Sequence, residues 1–113
     1  MPRRHRALIA RGEVWDARIP GVGTHPVVVV TRSTAIPLLK SLLCVLVTST
    51  FHDHVAEVEL GAAEGLQRHS AANCDNIFTL PTQVLVRRRG HLGPEKLAAL
   101  DRALIVALGL DGV

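Results

Sequence analysis

Aromatic side chains are nearly missing from this chain of 113 residues: Trp15, Phe51 and Phe78 are the three present, and tyrosine is absent. The core must therefore be filled by valine, leucine and alanine, which supply most of the 48% hydrophobic content; that content excludes a disordered chain. Cysteine is scarce too. Cys44 and Cys74 show no C-x-x-C spacing, which excludes a disulfide framework and a zinc ribbon, and in apolar, strand-like surroundings both read as buried thiols. Uncharged apolar stretches such as 35–39 and 42–47 fall far short of the roughly 20 residues of a membrane helix. The basic start, Met1-Pro2-Arg3-Arg4-His5-Arg6, precedes an apolar run too short for a secretory h-region of about 7–15 residues. A cytoplasmic protein with no membrane span is expected, and the lack of any repeat of about 20–50 residues excludes a solenoid.

What is present is one domain's worth of chain, long enough to bury about 65% of its unfolded surface without metal or disulfide support. Residues 1–10 read as a basic N-terminal extension and residues 11–113 as the domain. The formal net charge is +3, from 13 Lys and Arg against 10 Asp and Glu, but the total hides an asymmetry. Nearly all the cations are arginines: Arg3, Arg4, Arg6 and Arg11 gather at the start, Arg87-Arg88-Arg89 form a second block, and Asp53, Glu57, Glu59 and Glu64 make the middle acidic. Such a bipolar surface suits a polyanion on one side, or is simply a set of solvated faces; three consecutive arginines on a strand cannot all point one way.

Residues 12–19 alternate as a half-buried strand, and Pro20-Gly21-Val22-Gly23-Thr24 is a turn cluster, so the two read as one arm and the turn of a hairpin. The second arm, Pro26-Val27-Val28-Val29-Val30-Thr31, is so uniformly apolar that it reads as a central strand covered on both faces, as do residues 42–48. Between them, residues 33–41, broken by Pro37, read as a connection with one helical turn. Val55-Ala56-Glu57-Val58-Glu59-Leu60 alternates with both glutamates on the wet face, as a half-exposed antiparallel strand does. Residues 61–70 read as a loop. Over 71–80 neither period fits the whole, which leaves the strand boundaries open, and Val84-Leu85-Val86 supplies a last strand. Gly93-Pro94-Glu95 is a helix start, with Leu97, Leu100, Leu104 and Leu108 at helical spacing until Gly109. The expected fold is mainly β, in the α+β class: a small antiparallel sheet with one C-terminal helix as its lid.

In order along the chain, Arg11-Gly12-Glu13-Val14-Trp15, a glycine loop leading to Thr24-His25-Pro26-Val27-Val28-Val29-Val30, Val47-Thr48-Ser49, Asn73-Cys74-Asp75-Asn76-Ile77-Phe78-Thr79-Leu80, Gly90-His91-Leu92-Gly93-Pro94-Glu95 and Ala107-Leu108-Gly109-Leu110 resemble the MazF/PemK family of toxin endoribonucleases. The resemblance covers about residues 11–110. It implies a small twisted antiparallel barrel of the kind shared with the gyrase poison CcdB. It also implies a cytosolic homodimer that cuts single-stranded RNA at short sequences without metal or other cofactor, paired with an acidic antitoxin of the MazE type in a type II toxin–antitoxin system. The implied chemistry is attack of the ribose 2′-hydroxyl on the adjacent phosphate, leaving a cyclic phosphate and a 5′-hydroxyl. Such a site needs a proton acceptor, a proton donor and hydrogen-bond donors aimed at the charged transition state.

In the family, an Arg directly before the Pro of the second strand and a Thr ending the third carry much of this chemistry; the matching positions here are His25 and Thr48. The histidine departs from the pattern. Guanidinium is a permanent planar cation, while imidazole, with an unperturbed pKa near ~6.5, is neutral much of the time at pH 7. Either His25 serves as acid or base with an altered pH dependence, or the site is weakened or inactive. In the second case the chain is a binding module, a CcdB-like target inhibitor or an antitoxin or RNA binder, with Arg11, Arg18 or Arg32 only holding RNA.

Ser49 and Thr50, beside Thr48, would offer further hydroxyls to a phosphate. Asn73, Asp75, Asn76 and Thr79 form the family's other polar segment, as base readers or equally as turn and strand-cap residues. Arg87 to Arg89 would steer RNA, and Phe51 is the ring expected to stack a base, Trp15 being assigned to the core. The RNA-binding candidates are thus Arg11, Arg32, Ser49, Phe51, Asn73, Asn76 and Arg87. His52-Asp53-His54 places two imidazoles on alternate residues but lacks the third and fourth ligands of a zinc site, and reads as a polar loop near the RNA groove. That groove is expected at the dimer seam, near the loops after Ile19, Thr31 and Thr48.

Overall fold

Apolar runs and alternating stretches from residue 13 onward form six strands of one antiparallel sheet in the computed structural model, which describes residues 9–112. The strands are β1 (Glu13–Ile19), β2 (Gly23–Val29), β3 (Ser41–Thr48), β4 (Glu57–Leu60), β5 (Ser70–Pro81) and β6 (Leu85–His91), followed by helix α1 (Pro94–Ala107). Across the sheet their order is β4-β5-β3-β2-β1-β6. Single 3₁₀ turns sit at Ile36–Leu38, Ala62–Glu64 and Thr82–Val84; the first is the helical turn expected around Pro37. Arg3, Arg4 and Arg6, and with them most of the basic extension, lie outside the described residues.

β2 runs between β1 and β3, and Val27, Val28 and Val29 are all fully buried. Successive strand residues face opposite ways, so this run requires cover on both sides. Val28 joins Val14, Val45, Val58, Leu60 and Leu100 of α1 in one core; Val27 and Val29 join Trp15, Ile36, Leu42, Leu80 and Leu85 in the other. Two thin layers on one sheet need small branched aliphatics rather than rings, each worth about 1.5–3 kcal/mol when fully buried. Both cysteines are buried within these layers. Burial pushes the Cys44 thiol up to about 12; burial and, after it, the Asp75 charge push Cys74 to about 11.

The segment that fits neither period is one long strand with a break in its register. Val45 of β3 is opposite Ile77, but the next residue, Leu46, is opposite Asn73. Residues 74–76 therefore have no partner on β3, and three extra residues spoil the two-residue alternation. Inside this bulge the Asp75 N–H donates to Asn73 Oδ1 at 3.0 Å.

Two ends of elements differ from the sequence reading. β4 starts at Glu57 rather than Val55, which is exposed, and α1 ends at Ala107, so Leu108 stands outside the packed stripe and is also exposed. The helix rests on Leu100 and Ala103, close enough to β1 that a Cβ on Gly12 would lie 2.5 Å from Leu97 Cδ2. Arg11 ties the same junction, donating from Nε to the Val30 carbonyl at 3.0 Å and pairing with Asp101 at 2.9 Å.

The sheet curls into a half-barrel until the loop after β4 meets β6. A Cβ on Gly65 would lie 2.0 Å from the Arg89 carbonyl oxygen, and one on Gly90 would lie 2.5 Å from the Glu64 carbonyl oxygen. Two facing glycines permit this approach, and Gly65 in addition has φ +86°, a conformation that side chains resist.

Candidate active site

Because β2 and β3 are antiparallel neighbours, the start of β2 lies beside the end of β3. That places His25, opposite Ala17 on β1, near Thr48, the last residue of β3. A cleft of about 450 Å³ opens there. His25 lines it from β2, Thr48 and Ser49 from the end of β3 and the residue after it, Gln67 and Arg68 from the loop before β5, Ser70 from the first position of β5, and Arg89 from β6; Pro26, Leu46, Val47 and Leu66 make its apolar walls. The curl that brings Gly65 onto Gly90 is what lets β6 and this loop share a cleft with β2 and β3.

The polar groups of the cleft differ in what they already hold. The Thr48 hydroxyl donates to the Thr50 carbonyl at 3.0 Å. Arg89 donates from Nη1 to both Asp16 carboxylate oxygens at 3.3 Å and from Nε to the Gly65 carbonyl at 3.2 Å. Ser70 donates its hydroxyl to the Arg68 carbonyl at 2.9 Å. The Arg68 guanidinium itself has no hydrogen-bond or ion-pair partner among the described residues. No aspartate or glutamate lines the cleft, so its lining favours an anion.

Of the residues expected from sequence, the cleft gathers His25, Thr48, Ser49 and Arg89. The rest lie outside its lining. Arg11 is committed to Val30 and Asp101. Arg32 is exposed in the connection after β2, which does not line the cleft. Phe51 sits edge-on to His69, ring centroids 5.7 Å apart. Asn73 belongs to the β5 bulge, and Asn76 is exposed in it. The three consecutive arginines part company as strand geometry demands: Arg87 is exposed, Arg88 pairs with Glu13 at 2.8 Å, and Arg89 turns to Asp16. Gln67 and Arg68 join the cleft from the segment 61–70, which reads as plain loop; a single cation between Leu66 and Ser70 carries no local signal, since only the curl of the sheet brings it to His25.

The histidine-rich loop is tied to glutamates. His52 approaches Glu57 Oε2 at 3.3 Å and His54 the same oxygen at 3.7 Å, while the His52 N–H donates to Glu57 Oε1 at 2.8 Å. Burial works to raise the Glu57 carboxyl, but the His52 N–H, the His52 ring and the nearby imidazole charges together hold it below its ordinary value. His69 pairs with Glu59. Among the described residues no group of three His, Cys, Asp or Glu side chains is arranged to hold a metal, and no described helix is long and apolar enough to cross a membrane.

A cleft combining an imidazole, hydroxyls and guanidinium groups can move protons and neutralise a phosphate, and known proteins share its framework. A probable endoribonuclease of Mycobacterium tuberculosis, MazF5, is 39% identical over 103 residues, covering 90% of this chain and 94% of the relative. A second, MazF2, is 36% identical over 100 residues, covering 88% and 97%. Among solved structures, an endoribonuclease in complex with its cognate antitoxin from a mycobacterial species superposes with a TM-score of 0.82 at 27% identity, covering 90% of this chain and 96% of that one. The Mycobacterium tuberculosis toxin MazF-mt6 gives 0.78 at 29% identity, covering 85% and 95%. The family model for PemK-like, MazF-like toxins matches residues 10–108. With six curled antiparallel strands, one C-terminal helix and that match over nearly its whole length, the chain belongs to the PemK-like, MazF-like toxins of type II toxin–antitoxin systems.

Proposed function

We propose that the chain is a toxin endoribonuclease that cuts single-stranded RNA at short sequences by 2′-hydroxyl attack, with no metal in the reaction. The observation that carries this reading is the meeting of His25, Thr48 and Ser49 in a cationic cleft without carboxylates; relatives named endoribonuclease at 36% and 39% identity support it. The 2′ oxygen bonds to phosphorus as its proton passes to the His25 imidazole, the bond from phosphorus to the 5′ oxygen breaks, and solvent water protonates the departing oxygen. Thr48 and Ser49 donate to the non-bridging oxygens. The Thr48 proton is held by the Thr50 carbonyl, so its hydroxyl rotates toward the cleft as RNA binds. Exposed Arg32 and Arg87 attract the flanking phosphates.

The toxin acts in the cytoplasm as a homodimer and is restrained by an acidic antitoxin of the MazE type; the structural neighbour solved with its cognate antitoxin supports that partner. Purified protein and single-stranded RNA in excess EDTA give fragments with 5′-hydroxyl ends. His25→Ala abolishes cutting, and His25→Arg retains or raises it. Loss of cutting on adding EDTA ends the metal-free mechanism, and cutting by His25→Ala at the parent's rate removes the histidine from it. A second reading, favoured by imidazole where the resemblance asks for guanidinium, is a binding module. RNA or acidic-peptide binding without cleavage at any pH across the imidazole titration marks it.

A further inference from the structure

We propose that Arg68 is a catalytic residue of this cleft: its guanidinium holds the non-bridging oxygens of the phosphate under attack and carries the charge that builds there in the transition state. The proposal rests on the endoribonuclease reading and names the cation that reading requires.

Three basic side chains line the cleft and can face a phosphate: His25, Arg68 and Arg89. Arg89 is already matched to the Asp16 carboxylate, and the side chains of that pair are 17% and 13% exposed, so its charge is largely cancelled where it sits. His25 is an imidazole, which cannot both accept a proton and serve as a standing cation. Arg68 is permanently charged and has no carboxylate or carbonyl partner among the described residues. It is thus the uncompensated permanent charge of the cleft lining. Beside it lie the apolar walls of Pro26, Leu46, Val47 and Leu66; RNA seated against them displaces water, and a charge acts more strongly where water is displaced.

The backbone that carries Arg68 is fixed on both sides. Before it, Gly65 is locked against the Arg89 carbonyl, its own carbonyl accepts from Arg89 Nε, and Leu66 is buried in the core. Glu64, itself buried, accepts the Gly61 N–H at 2.7 Å and closes the turn. After it, buried Ser70 starts β5 and donates to the Arg68 carbonyl at 2.9 Å. Only the Arg68 side chain is left to order when RNA arrives, so little of the binding energy is spent on arranging the loop. Arg68 gives and takes no proton. The 2′ proton goes to His25, the new bond forms between the 2′ oxygen and phosphorus, and the bond to the 5′ oxygen breaks, while Arg68 offers paired N–H groups to the two oxygens that take up charge.

The test is steady-state cleavage of a single-stranded RNA by the full chain, with Arg68→Ala, Arg68→Lys and, as a control on α1, Arg102→Ala. Arg68→Ala is expected to lower kcat by about 100-fold with KM changed much less, as for loss of a transition-state donor. Arg68→Lys is expected to recover part of that loss, and Arg102→Ala to match the parent. Arg68 is exposed, so all variants keep the parent's thermal midpoint. A KM rise at constant kcat moves Arg68 to a flanking phosphate and overturns the proposal, as does unchanged cleavage by Arg68→Ala. If the parent itself leaves RNA uncut, the endoribonuclease reading fails and the assignment with it; if the parent cuts and Arg68→Ala cuts equally, the assignment alone fails.

Discussion

Arg89 places Nη1 3.3 Å from each carboxylate oxygen of Asp16, at the wall of the cleft that holds His25 and Thr48. The two residues come from neighbouring strands, β1 and β6, and both side chains are mostly buried. The pair shapes the wall while withholding its positive charge. Asp16→Asn releases that charge, and binding of an uncleavable 2′-O-methyl RNA tightens, with the salt dependence of log K steeper by about 0.7, as one added phosphate contact requires. Fluorescence anisotropy across a salt series measures it; an unaltered slope means that Arg89 does not reach RNA.

Glu13 is a buried acid with a full set of partners. Oε1 accepts the Ala10 N–H at 2.8 Å and the Trp15 indole N–H at 3.0 Å, and Oε2 meets Arg88 Nε at 2.8 Å. Glu13→Ala removes the acceptor from the buried Trp15 indole, the Ala10 N–H and Arg88, and is expected to cost about 2–4 kcal/mol in urea unfolding. Glu13→Gln, which keeps an oxygen acceptor, costs about 1 kcal/mol. Equal losses in the two variants would show that the acceptor geometry is unimportant.

The closure at Gly65 and Gly90 leaves no room for a side chain. Gly65→Ala meets the Arg89 carbonyl and a positive φ together, and is expected to cost about 2–4 kcal/mol. It also lowers RNA cleavage by more than the unfolded fraction accounts for, because the loop bearing Arg68 must move. Gly93→Ala, where nothing lies within 4 Å, stays within about 1 kcal/mol of the parent. Thermal melts and cleavage rates of the two variants, compared side by side, separate the effects.

Glu57 links stability to acid pH. Its carboxyl is held below the ordinary value of 4.5 despite its burial. A group depressed in the folded state contributes stability that is complete above its unfolded pKa and is lost as pH falls through the folded one. The parent therefore weakens as pH drops below 4.5. Glu57→Gln is expected to be less stable than the parent at neutral pH and to flatten this acid limb, read as the urea midpoint against pH; an identical limb in both proteins would assign the acid sensitivity elsewhere.

Much of the scaffold is legible in the sequence because its signals are local. The apolar run Val27 to Val29 announces a strand covered on both faces, Gly93-Pro94-Glu95 announces a helix, and the order of short motifs points to the MazF/PemK family and, through it, to His25 and Thr48. The β5 boundaries are not legible, because the bulge at 74–76 belongs to the pairing with β3 and not to β5 alone. Nor does a formal charge count say which arginine is available. Arg11 is matched by Asp101, 90 positions away, and Arg89 by Asp16, 73 positions away, so these charges, spaced like free ones in the sequence, are spent in the fold. Arg68, which carries no mark in the sequence, is carried into the cleft by a curl of the sheet sealed at Gly65 and Gly90. Periodicity and residue type are properties of a short stretch of chain; the freedom of a charge depends on what lies across space from it, and that only the tertiary structure decides.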